Sequence, residues 1–259
     1  MMKMLRMAMM FAVMGFSAVN THAADQQVLD TIKKSGVLRI GTTGDYKPFT
    51  YKGPDGEFTG ADIAVVKELA AHIGVKPVFV TTTWKTMLDD LRANRFDIAV
   101  GGITINPERA KVGDFSVSTG SDGKRPIARC NDSEKYTTLE AINQPSVRLI
   151  VNPGGTNEKF AHENLGKASL EIFPDNRKIF DQIAADKADV MVTDGVEVDL
   201  QSKLHPGVLC PAKVSSPFTH FEKAYLMPKN AAFKEYVDAF VADELRNGDM
   251  QKQLDAAMQ

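Results

Sequence analysis

Apolar residues recur along this chain with two periods, and the switching between them predicts an α/β protein. Residues 37–42 form a β-rich run, 63–73 carry apolar side chains at helical spacing, 77–82 read as a strand, 87–93 as a helix and 96–100 as a short buried strand. A second series repeats this order: strand 147–151, helix 157–165, strand 170–173, helix 177–185 and strand 189–192. In each series a strand and a turn lead into a helix, over 37–49 and 147–160. Each then reaches a small-residue strand containing an aspartate: Arg95-Phe96-Asp97-Ile98-Ala99-Val100 in one, Lys187-Ala188-Asp189-Val190-Met191-Val192 in the other. Two alike α/β series imply two lobes with a cleft between them, because ligands of open α/β sheets collect beyond the carboxyl ends of the strands. The last run, 231–258, is helical and amphipathic and is expected to pack back on the first lobe.

The amino-terminal residues depart from this pattern. Lys3 and Arg6 precede an apolar run from Met7 to Val19, followed by Thr21-His22-Ala23 and then polar Asp25-Gln26-Gln27. That order predicts a secretory signal peptide over residues 1–23, and hence a periplasmic chain. The run falls short of the roughly 20 apolar residues a membrane helix needs, so no membrane span is expected. The formal net charge of −2 is mild and mixed in sign, without the basic stripe of a nucleic-acid binder. Any affinity for anions must therefore come from a few placed groups. Cys130 and Cys210 form an even pair in an oxidising compartment, which predicts a disulfide, with a catalytic thiol as the competing reading. His72, His162, His205 and His220 show no metal-ligand spacing, and no metal is expected.

Two segments carry candidate chemistry. Asn152-Pro153-Gly154-Gly155-Thr156-Asn157 runs from a strand through a turn into a helix N-terminus, whose unpaired N–H groups attract a carboxylate or phosphate. Thr156 and Asn157 add short polar side chains at the same mouth. The second segment, Gly101 to Arg109, brings Thr104 and a guanidinium suited to bidentate carboxylate binding.

The phrases Val37-Leu38-Arg39-Ile40-Gly41-Thr42, Tyr46-Lys47-Pro48-Phe49, Gly60-Ala61-Asp62-Ile63, Trp84, Gly102-Ile103-Thr104-Ile105 with Arg109, and Phe115-Ser116 resemble the periplasmic amino-acid-binding proteins of ABC transporters. The resemblance implies a two-lobed periplasmic-binding-protein type II fold with two hinge strands. Residues 24–120 and 222–259 would form the first lobe and 121–221 the second. It implies a carboxylate-binding Arg109, a hydroxyl partner in Thr104, turn-helix contacts from Thr156 and Asn157, an aromatic lid in Tyr46 and an ammonium-binding Asp194.

Within that superfamily, Thr43-Gly44-Asp45-Tyr46-Lys47-Pro48-Phe49, Asp122-Gly123-Lys124, Val151 to Phe160, Leu204-His205-Pro206 and Glu222-Lys223-Ala224-Tyr225 are similar to the exported cyclohexadienyl dehydratases. These convert prephenate to phenylpyruvate, and often arogenate to phenylalanine. By that likeness Glu197 is the general acid, supported by Lys124 and Asn157. Asp45 and Trp84 stand where strands exit toward the cleft. One departure is Ser118-Thr119-Gly120, where both groups usually carry Pro-Tyr after Phe-Ser.

Prephenate is a dianion that loses water and CO2 to become aromatic. The driving force lies in the substrate, and no cofactor is expected. Several residues also have plainer readings: Glu197 as a first-turn acid favoured by the helix dipole, Asp194 as an N-cap, Lys124 and Arg109 as solvated charges, Trp84 as core. The reading is an exported lyase acting on a small dianion, with a homo-oligomer left open. The alternative is an amino-acid receptor working with an ABC permease.

Overall fold

The computed structural model describes residues 20–259, so the signal-peptide segment expected over 1–23 lies outside the described residues as far as Val19. The two predicted series become two five-stranded sheets built to one plan. In the first, Val37–Thr42 lies between Lys76–Thr81 and Ile98–Ala99 and is parallel to both. Leu226–Pro228 then runs antiparallel between Ile98–Ala99 and Gly113–Phe115. In the second, Arg148–Val151 lies between Ser169–Ile172 and Val190–Asp194, again parallel to both. Lys124–Arg129 runs antiparallel between Val190–Asp194 and Leu209–Pro211. The chain passes from the first sheet to the second through Gly120–Asp122 and returns through Phe221–Lys223, and these two segments pair with each other.

Helices cover the sheets on both faces, which is why the central strands read as nearly continuous apolar runs. In the first lobe Leu38, Ile40 and Ile98 pack with Val65 and Leu69 of the helix Ala61–Ile73 and with Phe233, Val237 and Val241 of the helix Ala231–Asn247. In the second, Leu149 and Val151 meet Phe160 and Leu165 on one face, while Ile150 and Met191 meet Ile179, Phe180 and Val198 on the other. Full burial of each such side chain contributes roughly 1.5–3 kcal/mol.

The amino ends of the parallel strands repeat as well. Arg39 donates its backbone N–H to Asp97 (2.8 Å) and clasps the same carboxylate with its guanidinium (2.6 Å). Arg148 does the same with Asp189, at 2.8 Å and 2.5 Å.

The structure departs from the pattern-based reading in two ways. The run 231–258 is not one helix but two, Ala231–Asn247 and Asp249–Ala257, broken at Gly248; both pack on the first lobe, with Phe233 and Met250 in its core. The helix Asn20–Ser35 joins the same core through Leu29 and Ile32, and its pattern was not assigned from sequence. Cys130 and Cys210 are bonded, with Cα atoms 4.7 Å apart, which excludes the free catalytic thiol. The bond ties neighbouring strands of the second lobe, and closing so long a loop contributes about 4 kcal/mol in the chain-entropy account. No helix among the described residues is long and apolar enough to cross a membrane.

Candidate active site

A cleft of about 310 Å3, counted to its open mouth, lies between the lobes. The first lobe lines it with Tyr46, Trp84, Gly102, Thr104 and Arg109, the second with Asn152, Gly155, Thr156, Asn157, Asn176 and Asp194. Two glycines allow the close approaches that shape it. A Cβ on Gly102 (φ 66°) would meet the Phe49 and Tyr46 rings at 2.5 and 2.6 Å, and its N–H is held by the Asp62 carboxylate at 2.7 Å. Gly154 (φ 77°) abuts the backbone of Lys85 across the cleft, where a Cβ would come within 2.7 Å. Only glycine tolerates both the positive φ and the contact.

Arg109 sits on the short helix Pro107–Val112, capped by Asn106, whose side chain accepts the Arg109 N–H at 2.9 Å. Its guanidinium is buried, donates to the carbonyl oxygen of Thr104 (2.8 Å) and lies 5.8 Å from the Trp84 ring. Burial lowers its pKa to about 10, so it remains a cation at neutral pH. It forms no ion pair among the described residues. Trp84 is in turn fixed by donating its ring N–H to Asp45 (3.1 Å), whose pKa burial raises.

The second lobe answers with a cluster already paired. Asp194 and Lys124 are cross-strand partners, and their side chains form an ion pair of 2.6 Å with both groups almost wholly buried. Lys223, on the return strand between the lobes, reaches the other carboxylate oxygen at 2.6 Å and also donates to the Gly102 carbonyl at 3.1 Å. The Tyr46 hydroxyl donates to the same oxygen. Burial opposes ionisation of Asp194, but the two ammonium groups override it and hold this carboxyl well below the usual range. Lys124 donates further to Thr156 Oγ1 (3.0 Å) and to Asn157 Oδ1. Its pKa is lowered by burial, against the pull of Asp194.

Glu197 lies one helical turn beyond Asp194, on the helix Gly195–Leu204, and is in the opposite state. It is 2% exposed, and burial, aided by the nearby Asp194 charge, raises its pKa to about 8. Thr193 donates to its Oε2 at 2.5 Å, and Asn157 Nδ2 donates to Thr193 at 3.0 Å, so a chain of contacts runs from Lys124 through Asn157 and Thr193 to the acid. The second oxygen is left to carry the proton.

Glu197 does not line the main cleft. It lines a neighbouring cavity of about 530 Å3 with Asp45, Phe180, Gln201 and His205, and Asn176 lines both that cavity and the cleft. Asp194 heads the helix without capping it by its side chain. That role falls to Asp122, which accepts from the backbone N–H groups of Gly195 (3.0 Å) and Val196 (3.1 Å). The oxygens of Thr156 and Asn157, read from sequence as contacts for a ligand, are instead taken up by Lys124. Lys223, Asn152, Asn176 and Thr193 were not singled out from sequence. Two of them left a signal: Lys223 within the phrase Glu222-Lys223-Ala224-Tyr225, and Asn152 at the head of the segment Asn152 to Asn157.

Residues 38–257 match the model of the bacterial extracellular solute-binding proteins, family 3. The chain is 50% identical over 218 residues to the cyclohexadienyl dehydratase of Pseudomonas aeruginosa, covering 84% of this chain and 81% of that one. It is 26% identical over 250 residues to the L-cystine-binding protein TcyJ of Escherichia coli, covering 93% and 92%. Among solved structures it is similar to AncCDT-1, an ancestral amino acid-binding protein described as a precursor of cyclohexadienyl dehydratase: TM-score 0.82, 34% identity, 89% and 99% coverage. It is also similar to a point variant of the ancestral cyclohexadienyl dehydratase AncCDT-3, with TM-score 0.56, 49% identity and coverage of 89% and 95%. A two-lobed α/β fold, a cleft between the lobes and a family match across nearly the whole described chain agree: this chain belongs to the bacterial extracellular solute-binding proteins, family 3.

Proposed function

We propose that the protein is an exported, periplasmic cyclohexadienyl dehydratase, a carbon–oxygen lyase that converts prephenate to phenylpyruvate and, less readily because its ammonium finds Asp194 already paired, arogenate to phenylalanine. The observation that carries this reading is the opposite condition of two carboxyls three residues apart. Asp194 is saturated by Lys124, Lys223 and Tyr46, so it offers no free carboxylate to a ligand ammonium. Glu197 is buried beside it and holds a proton near neutral pH. A receptor for amino acids needs the first group free and has no use for the second; a dehydratase needs a proton donor.

In this reading Arg109, with Thr104 beside it, grips one carboxylate of the substrate. The backbone N–H groups that open the helix Thr156–Asn164, with the charge of Lys124 behind them, hold the other. Arg109 lines the cleft as a cation with no ion-pair partner among the described residues, which suits an anionic group of the substrate. Glu197 transfers its proton to the departing ring hydroxyl, the C–O bond breaks, and the electron pair of the bond between the ring and its carboxylate passes into the ring, restoring aromaticity as CO2 leaves. Tyr46, Trp84 and Asp45 wall the ring and exclude water, which strengthens each charge contact. The identity to the Pseudomonas dehydratase supports the same reading.

Incubating purified protein with prephenate and following phenylpyruvate by absorbance tests it. Product should form far faster than in protein-free buffer. Tight binding of common amino acids, with prephenate left to its own acid-driven decay, would instead establish the transport receptor.

A further inference from the structure

Among the described residues, Asn176 alone lines both the interlobe cleft and the cavity holding Glu197. It begins the helical turn Asn176–Lys178, whose start is fixed by Asp175 accepting the Arg177 N–H at 3.2 Å. The residue is 4% exposed, and its amide nitrogen donates across the lobes to the backbone carbonyl of Asp45 at 2.9 Å. That bond sets the amide orientation, because the reverse placement would set two oxygens against each other. Oδ1 is consequently an acceptor, and it is buried with no hydrogen-bond partner among the described residues. A buried acceptor left unpaired costs free energy, and on a residue that lines both cavities it calls for a donor from a ligand.

We propose that Asn176 Oδ1 accepts the hydrogen of the substrate's ring hydroxyl. The interlobe cleft then holds the carboxylate end of the substrate, and the leaving group lies beside Asn176. This rests on the dehydratase reading and adds to it a residue that touches the reacting oxygen. The hydroxyl hydrogen on Asn176 turns an oxygen lone pair toward Glu197. When Glu197 delivers its proton the C–O bond breaks, and the departing water retains both hydrogens, one of them bonded to Oδ1. The contact strengthens as the oxygen gains positive character, so it acts on turnover more than on ground-state binding. The water leaves into the second cavity, and Glu197, now a carboxylate, regains a proton from solvent on that side.

Asn176→Leu removes the acceptor while filling its space, which keeps a substitute water out. With prephenate its kcat should fall roughly tenfold, the upper end for one hydrogen bond to a neutral donor. The affinity for phenylpyruvate, which has lost the ring hydroxyl, should change by less than about threefold, since no contact to it is removed. A kcat/KM within about twofold of an active parent would overturn the role of Asn176, leaving its oxygen a site for structural water. So would a parallel loss of phenylpyruvate affinity, which would make Asn176 a wall residue. If Asn176→Leu does not fold, as judged by circular dichroism, Asn176→Ala is put to the same two measurements and the same limits. A parent inert toward prephenate would instead remove the dehydratase reading, and this contact with it.

Discussion

At the amino ends of its parallel strands each lobe holds the same device, Arg39 on Asp97 in the first and Arg148 on Asp189 in the second, whereas at the carboxyl ends the lobes diverge. There the first lobe presents Arg109, a buried cation with no anion of its own among the described residues. The second presents Lys124 and Asp194, a buried pair closed by Lys223 from the connecting strand. Repetition at one end reflects folding, since the Arg–Asp clasp joins neighbouring strands and satisfies backbone N–H groups. Divergence at the other end reflects use. An unpaired buried cation is tolerable where a ligand completes it, while a paired cluster belongs to the stability of the fold and sets the state of the acid beside it.

The sharpest break of this comparison comes from Asp194→Asn, which leaves Lys124 and Lys223 buried against each other without a counter-charge. Removing one partner of a buried pair costs about 3–5 kcal/mol, and urea unfolding should register a loss of that order together with loss of turnover. Asp97→Asn, whose partner Arg39 is one-third exposed, should cost less. Equal losses at the two sites would mean that the cluster facing the cleft is no more critical to the fold than the strand-end clasp.

Glu197→Gln keeps shape and hydrogen bonding but carries no transferable proton. Turnover of prephenate should fall by two to four decades while substrate still binds, in line with the contribution of a general acid. Parity with the parent would remove Glu197 as the acid and turn attention to Lys124.

Arg109→Ala tests the first lobe by itself. Substrate engagement should weaken by roughly two decades in kcat/KM, because a desolvated carboxylate loses its charged partner. Stability should stay within about 1 kcal/mol of the parent, since the substitution removes a buried charge that no acid compensates. A near-native KM would take Arg109 out of the site; a large loss of stability would make it structural.

The sequence was legible where one segment carried its own signal. The parallel strands and their helices announced themselves through period, and even the likeness of the lobes could be read from Asp97 and Asp189. The antiparallel strands Lys124–Arg129 and Leu226–Pro228 lie in mixed stretches whose burial comes from neighbours distant in sequence, so no local pattern marks them. The site shows the same division. Arg109, Thr156 and Asn157 were found through their turns. Lys223 and Asn176 were not, because the contacts that give them a role reach Asp194 and Asp45 across the lobes. Asp194 was found without its partners within the fold: no spacing shows that two lysines, 70 and 29 residues away, converge on it.

The smallest expected effect concerns Thr193, whose hydroxyl donates to Glu197 and holds its pKa down against the burial that raises it to about 8. Thr193→Val removes that donor. If Glu197 is the acid, the alkaline fall of kcat, set near pH 8 in the parent, should move upward by about one unit, since a shift of one unit corresponds to about 1.4 kcal/mol, the scale of one hydrogen bond to a charged group. The same group links stability to pH with a definite sign. Its folded pKa lies above the ordinary value of 4.5, so its contribution is fully present below that value and is lost as the pH rises through about 8. The melting temperature of the parent should therefore decline between these limits. In Glu197→Gln that decline should be absent, and in Thr193→Val it should extend to higher pH. An alkaline limb that stays in place in Thr193→Val would show that the group controlling turnover is not the carboxyl Thr193 touches, and the contrast drawn between Asp194 and Glu197 would lose its functional meaning.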